Sequence, residues 1–401
     1  MSRKTVLAFA CAAALSAPSA AFADETPAAA PPAPPGQKAP VASAPAAASA
    51  LAPAPPPTEE PSMTWSLSGG RASFPLLDDG DALVVEAHLA VFAQYVLSIR
   101  NEATGTEWFH DFELPRAHAT LAASFEDAHG RVTVEGFRSA SEGALVGVAG
   151  DSFVLRLREA WADYVAWDAL EMRLGLLPTM TIGPIEEMWG MRMVAPTGLE
   201  RTALASPVDL GATVRGFLPL GLGWVGAGAY NGEGYDRREL NRGKNIEIAT
   251  LLHPFSVVRG AEPITVSASY VSGSSGIALA RADRVTAGIA WEGDVLRGGA
   301  AFTYAWGVRD AGEQESMLAE GFVRVRPIER LDLGVDTVAW FRDRSDPDDW
   351  IVTITGAAGY FIVDPLGVFV AVDGQLFGPS AEQALPGLDD ARVRVITSIQ
   401  F

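Results

Sequence analysis

The stretch DARVRVITSIQF, residues 390–401, decides how the chain is read. With period two, Ala391, Val393, Val395, Thr397, Ile399 and Phe401 share one face. Asp390, Arg392, Arg394, Ile396, Ser398 and Gln400 share the other. Such alternation marks a strand with one apolar side. Two settings would take it. One is an edge strand half buried on a soluble core; the other is the last strand of a closed barrel, with Phe401 turned to lipid.

The same alternation recurs along the chain over about ten residues at a time. PITVSASYVSG sets Ile264, Val266, Ala268 and Tyr270 against Thr265, Ser267 and Ser269. RVTAGIAWEG sets Val285, Ala287, Ile289 and Trp291 against Arg284, Thr286, Gly288 and Ala290. ERLDLGVDTVAWF and PLGVFVAVDGQLF follow the same rule, with Asp332, Asp336 and Asp373 on their polar faces. Segments of this kind lie at 63–70, 82–98, 114–125, 131–138, 152–166, 169–177, 209–217, 221–230 and 244–253. They continue at 263–272, 283–292, 294–307, 316–327, 329–342, 350–361, 365–377 and 390–401. Bacterial barrels take even strand numbers, so about sixteen strands, and at most eighteen, are expected.

The second face chooses between the settings. A soluble sandwich would carry Lys, Glu and Thr there; this face holds Gly, Ala, Ser and Thr among Arg and Asp. The apolar face carries rings near segment ends (Trp291, Tyr304, Trp306, Tyr360 and Phe401), where a membrane's headgroups would lie. In lipid a sheet has to close, because an open edge leaves N–H and C=O groups without water. The expected fold is all-β, a closed antiparallel transmembrane β-barrel over residues 62–401. The terminal strand closes it, and Phe401 serves as the membrane-assembly signal.

The first 61 residues agree with export. MSRKTVLAFACAAALSAPSAAFADE has Arg3 and Lys4, an apolar run from Val6 to Leu15, and Ala21-Phe22-Ala23 as a small-x-small cleavage site. Residues 1–23 read as a signal peptide, and 24–61 as a disordered, Ala/Pro-rich periplasmic arm. Cys11 is the chain's one cysteine. A lipoprotein acylated there is the alternative, but Phe9 and the short apolar region argue against it. Cleavage after Ala23 removes the cysteine, and with it any disulfide, thiol chemistry or Cys-based metal site.

Residues 62–401 keep 27 of the 30 basic residues and 45 of the 49 acidic ones, a formal charge of −18, and Lys244 is their one lysine. Such acidity argues against nucleic acid as a partner. LLDDGD (76–81), DRSDPDD (343–349) and LDD (388–390) hold part of the excess in apparent loops. Divalent cations there could bridge to lipopolysaccharide phosphates; solvated charge is the plainer reading. DRSDPDD lacks the Gly and distal Glu of a calcium loop. No metal site and no cofactor are expected.

Between Arg116 and Phe255 an ordered set of short motifs appears. They are Arg158-Glu159-Ala160-Trp161, Leu174-Gly175, Asn231-Gly232-Glu233-Gly234, Lys244 and Pro254-Phe255. In this order they resemble the phosphate-selective porin O/P family over roughly a third of the chain. The departure is LLPTMTIG at 176–183, where that family's Pro-Phe-Gly is blurred. The resemblance implies a sixteen-stranded porin, often a homotrimer, whose lumen selects small anions. With the apolar parity turned to lipid, Arg116, Arg156, Arg158, Arg173, Arg215, Arg284, Arg297, Arg324, Arg326, Arg330, Arg392 and Arg394 fall on the lumen side. Guanidinium groups there could attract anions, or could pair with lumenal Asp and Glu and brace the wall.

The sequence therefore points to a passive outer-membrane diffusion channel for small hydrophilic solutes, with phosphate or other small anions as its finer specificity. Outer-membrane lipid, lipopolysaccharide and the barrel-assembly machinery are its expected partners. Two other classes compete. One is a structural barrel anchoring envelope layers through the Ala/Pro arm, which an inward loop plugging the pore would favour. The other is a barrel hydrolase, which needs a Ser with a His in reach. The five histidines offer no G-x-S-x-G or H-E-x-x-H context, so an enzyme is not expected.

Overall fold

The computed structural model describes residues 84–102, 105–139, 152–235, 242–258, 260–261, 263–276, 279–308, 311–385 and 391–401. Residues 1–23 and 24–61, read above as a signal peptide and an Ala/Pro arm, lie outside the described residues with the segment at 63–70, as do the stretches 76–81 and 388–390.

The chain order is β1 (Val84–Glu102), β2 (Gly105–Phe125), β3 (Ala128–Ser139), β4 (Ser152–Ala166) and β5 (Leu170–Pro178). Two short helices follow, α1 (Ile182–Trp189) and α2 (Gly198–Arg201). Next come β6 (Val208–Leu218), β7 (Gly223–Tyr230), β8 (Asn245–Leu252), β9 (Ile264–Ser272), β10 (Ser274–Ser275) and β11 (Ala280–Arg281). After these come β12 (Asp283–Glu292), β13 (Leu296–Val308), β14 (Ala311–Ile328), β15 (Leu331–Phe341), β16 (Trp350–Val363) and β17 (Leu366–Phe377). Helix α3 (Pro379–Ala384) and β18 (Ala391–Gln400) complete it. Sixteen strands close into one antiparallel barrel, while β10 and β11 form a small ribbon between β9 and β12. The barrel strands correspond to sixteen of the seventeen alternating segments.

Closure is made where the opening stretch places it. β18 pairs with β1 from Ala90↔Gln400 to Ile99↔Ala391. Leu89 N–H donates to the Phe401 carbonyl at 2.9 Å, and Phe401 N–H returns to the Leu89 carbonyl at 2.8 Å. Val393, Val395 and Phe401 point outward and are exposed, while Ile396 and Ser398 are buried inside. The register carries this parity around the wall. Tyr270, Val285, Ile289, Leu333, Val335, Val370 and Val372 face out; Thr265, Thr286, Asp332, Asp336 and Ala371 are buried within. Exposed apolar side chains on one parity and buried polar ones on the other suit a wall with lipid outside.

Most connections at one end are short, such as 126–127, 329–330 and 364–365, with 253–263 the long exception, and Phe401 ends there. This is called the turn side; the longer connections mark the loop side. Trp167, Phe217, Trp291, Tyr360 and Phe401 are exposed near the turn side, as a girdle of rings.

Residues 179–207 leave the wall after β5 and enter the barrel. The neck is pinned by Thr179, whose N–H donates to the Pro207 carbonyl at 3.0 Å and whose Oγ1 donates to the Ser206 carbonyl at 2.8 Å. α1 ends at Gly190, whose φ of 66° is left-handed and whose N–H closes onto the Glu186 carbonyl at 2.9 Å. Ile182, Ile185, Leu199 and Leu204 pack on Ala301, Ala305, Leu318 and Val338 of β13–β15. Met188, Trp189, Met191 and Val194 pack on Phe322, Phe369, Ala371 and Ile396. Trp189 lies tilted against Phe322, ring centroids 5.7 Å apart, and donates its Nε1–H to the Ala195 carbonyl at 3.0 Å. The lumen therefore contains its own hydrophobic core, and that core holds the segment against one side of the wall.

Candidate pore and its lining

The docked segment turns its polar edge toward the opposite wall, where β2 to β6 carry inward arginines. Arg116 Nη2 of β2 donates to Glu200 of α2 at 2.7 Å, which bridges wall and segment. Glu200 also takes Arg192 Nη2 at 2.9 Å, and Arg192 pairs in turn with Glu186. On β4, Arg156 Nε and Arg158 Nη1 donate to the buried Glu135 at 2.8 and 3.2 Å, and His118 lies 3.1 Å from the same carboxylate. Arg156 is sandwiched between Phe137 at 3.9 Å and Tyr235 at 4.4 Å. Its Nη2 also donates to the Tyr235 hydroxyl at 2.6 Å. Burial, with Glu135 alongside, pushes that hydroxyl up to about 12, so it stays a neutral donor.

Lower on the same wall, Arg173 of β5 reaches Asp163 at 3.1 Å and Glu171 at 3.2 Å, and lies over Trp161 at 4.0 Å. Arg215 of β6 donates Nε to Glu171 at 2.8 Å and lies over Trp224 at 5.3 Å. Arg131 shares the inward face and stands 5.7 Å over Trp161, a lumenal position missing from the arginines named by alternation above. A series of guanidiniums thus descends from the loop side to the turn side, most of them backed by a ring.

The remaining arginines expected in the lumen, placed by register, sit on other parts of the inner wall. Arg284 donates to the Leu204 and Ala282 carbonyls under the segment. Arg394 grips Asp373 at 2.6 and 2.7 Å and donates Nη1 to the Val194 carbonyl at 2.7 Å; Arg392 lies across from Asp373 in the β17–β18 register. Arg324 and Arg326 converge on Asp332, and Arg297 stands beside them on β13. Arg330 is a correction. The strand at 329–342 begins only at Leu331, so Arg330 lies on the turn, exposed, with Nη1 3.5 Å from the Ile362 carbonyl. Extending the alternation by one residue carries it into a lumen it does not face.

The bracing half of the sequence reading has direct geometry, since most of these arginines hold a carboxylate. The pairing leaves guanidinium N–H groups over: among the described residues, Arg116 Nη1 and Arg173 Nε are buried without a partner. Cavities flank the segment. One of about 670 Å³ on the loop side is lined by Arg116, Arg156, Arg284, Glu135, Glu200 and Tyr235. One of about 160 Å³ lies between the segment and β5–β8, lined by Arg173, Arg215, Trp224 and Glu187. A third, of about 250 Å³, opens by the turn at 293–295.

The inward segment and its charged residues Glu186, Arg192, Glu200 and Arg201 are not among the residues that alternation names. A signal exists: four of the chain's eight methionines, with Trp189, fall between Met180 and Met193, where a solvated loop would be polar.

No family model matches the chain, and no curated protein matches it. Solved structures do. OmpF of Salmonella typhi in complex with daunomycin aligns at 13% identity over 82% of this chain and 100% of that one, with a TM-score of 0.58. The anion-selective porin from Comamonas acidovorans aligns at 12% identity over 80% and 100%, also at 0.58. The outer membrane channel DcaP of Acinetobacter baumannii aligns at 11% identity over 82% and 99%, at 0.52. The fold is that of the outer-membrane porins. At such identities the likeness concerns architecture, so function has to be argued from the lumen itself.

Proposed function

We propose that the chain is an outer-membrane porin, a passive diffusion channel for small hydrophilic solutes that favours anions. The observation that carries this is the lumen's asymmetry: the inward segment is held on one side by an apolar core, and the face left open is lined with arginines from Arg116 down to Arg215. Selectivity then comes from pore width and the field of the lining charges, with no chemistry performed. Guanidiniums with spare N–H groups favour carboxylate and phosphate over cations. Phosphate among these anions follows only from the family resemblance. Export by the signal peptide, insertion by the assembly machinery, contact with lipopolysaccharide and a homotrimeric state belong to the same reading.

The anchor reading keeps one observation of its own, because the Arg116–Glu200 bridge spans from wall to segment. Liposome swelling separates the two. A channel admits arabinose and small carboxylates with rates that fall with solute size; a plugged anchor admits neither. For a hydrolase the geometry is unfavourable. Among the described residues, the hydroxyl within hydrogen-bond reach of a histidine is that of Thr265, 3.1 Å from His253 Nδ1, and no carboxylate orients that ring.

A further inference from the structure

We infer that the turns 219–222 and 253–263 together form a foot that lies in the periplasmic leaflet of the membrane, with phospholipid as its occupant. Short turns mark the periplasmic end of such barrels. Several of them here carry charge to water: 126–127 is Glu-Asp, 329–330 Glu-Arg and 364–365 Asp-Pro. A connection that runs in water is normally polar. The long connection 253–263 and its neighbour Pro219-Leu220-Gly221-Leu222 depart from this. Leu220 is 74% exposed and Val257 68%, and Phe255 and Val258 are exposed as well.

Two bonds join the turns into one surface. Ser256 Oγ donates to the Leu220 carbonyl at 3.1 Å, and His253 N–H donates to the Leu222 carbonyl at 2.9 Å. The long turn also closes on itself. The N–H groups of Ser256, Val258, Ala261 and Ile264 each donate to the carbonyl three residues back, at 2.8 to 3.1 Å. Its polar side chains among the described residues are occupied too: Ser256 as above, and His253, whose Nδ1 lies 3.1 Å from Oγ1 of the inward Thr265. The exposed remainder is Pro254, Phe255, Val257, Val258 and Gly260, all apolar. Backbone groups bonded within the turn and polar side chains spent on protein are what a chain close to hydrocarbon requires. Arg259 and Glu262, the two opposite charges of this stretch, lie outside the described residues.

What the surface adjoins decides its occupant. The long turn leaves β8 after Leu252 and enters β9 at Ile264, both on the outward parity, and Ile264 pairs with Trp291 of the ring girdle. Val225 and Ile248, outward and exposed, continue the apolar wall from there. The foot therefore extends the lipid-facing wall past its last ladder pair. A protein partner would look for hydrogen-bonding side chains among the apolar ones. The described part of the foot has none to spare, whereas apolar side chains beside an aromatic girdle suit the boundary between headgroups and acyl chains. Seated there, the foot fixes the depth of the β6–β9 quarter of the wall, next to the neck from which the inward segment departs between β5 and β6.

The foot rests on the barrel being in a membrane, as the channel reading holds, and not on its conducting. From Asp24 onward the chain has no cysteine, so one introduced cysteine carries one spin label. Val257→Cys, labelled with a nitroxide, is reconstituted in vesicles of phosphatidylethanolamine and phosphatidylglycerol. Ile248→Cys on the outward wall and Asp364→Cys on a short turn are the references. Relaxation by oxygen, which concentrates in lipid, is compared with relaxation by a water-soluble nickel chelate. The oxygen-to-chelate ratio at 257 should exceed that at 364 severalfold and approach that at 248. Leu220→Cys is the second variant should Val257→Cys fail to fold, which heat-modifiable gel mobility reports. A ratio equal to that at 364 overturns the foot. Exclusion of both reagents overturns it as well, since the cover would then be protein, a second copy included. A label at 248 that behaves like the one at 364 refutes the membrane barrel itself, and the foot with it.

Discussion

Glu200 is the residue at which the account of the lumen is most exposed to test. It sits on α2 at the polar edge of the inward segment, 2.7 Å from Arg116 and 2.8 Å from Arg192. Glu200→Gln keeps the shape and removes one negative charge from that polar edge. An ion threading at about 7 Å from that charge feels about 0.6 kcal/mol in water, roughly halved by screening at 0.1 M salt. Neutralising the carboxylate lowers the path for an anion and raises it for a cation by about 0.3 kcal/mol each, so the anion-to-cation permeability ratio rises about threefold. In a planar bilayer with a tenfold KCl gradient this is a shift of about 20 mV in reversal potential, toward anion preference. Loosening the bridge to Arg116 should raise single-channel conductance as well. A shift below about 5 mV, or one toward cations, would mean that ions do not pass this edge of the segment.

Other consequences can be checked independently. Trp189→Ala removes the largest side chain of the core under the segment, at about 3–5 kcal/mol for that packing. Conductance noise and protease cutting within 179–207 should rise while the barrel keeps its heat-modifiable mobility. Deleting Phe401 removes both backbone bonds to Leu89 and leaves polar groups of β1 facing lipid. The folded fraction in membranes, read by the gel shift, should fall severalfold. Gly223 has a φ of 111°, and a methyl group on it would lie 1.9 Å from the Leu251 carbonyl, so Gly223→Ala should lower the unfolding midpoint in urea. Tyr235 has a raised pKa in the folded protein. The stability it contributes is therefore complete below its ordinary value near 10 and is lost as pH rises through about 12. Ultraviolet titration should show one tyrosine ionising near there, and the step should be missing in Tyr235→Phe.

How much of this is legible in the sequence depends on where period two holds. β18, β12, β9, β15 and β17 alternate cleanly, and their inward and outward residues are those the alternation names. β2 shows its alternation only from 114 because the pattern breaks there. The β1–β2 register shifts between Phe92 and Gln94, so Trp108, His110 and Phe112 face out on even numbers, whereas Ala117 and Ala119 do so on odd ones. Arg330 is misplaced because alternation gives no mark for the last residue before a two-residue turn ends. The inward segment escapes for a different reason. Its apolar residues serve a core inside the lumen, which a reading that allots every residue to lipid or water does not provide for. The departure at 176–183 from the resembled family coincides with the neck where the chain leaves the wall.

The reversal potential of purified mature protein in a planar bilayer under a KCl gradient tests the central claim most directly, with Arg156→Ala, Arg158→Ala and Arg173→Ala beside it. The account expects an open conductance with anion preference that declines as the arginines are removed. No conductance, or a cation preference indifferent to all three substitutions, would contradict it.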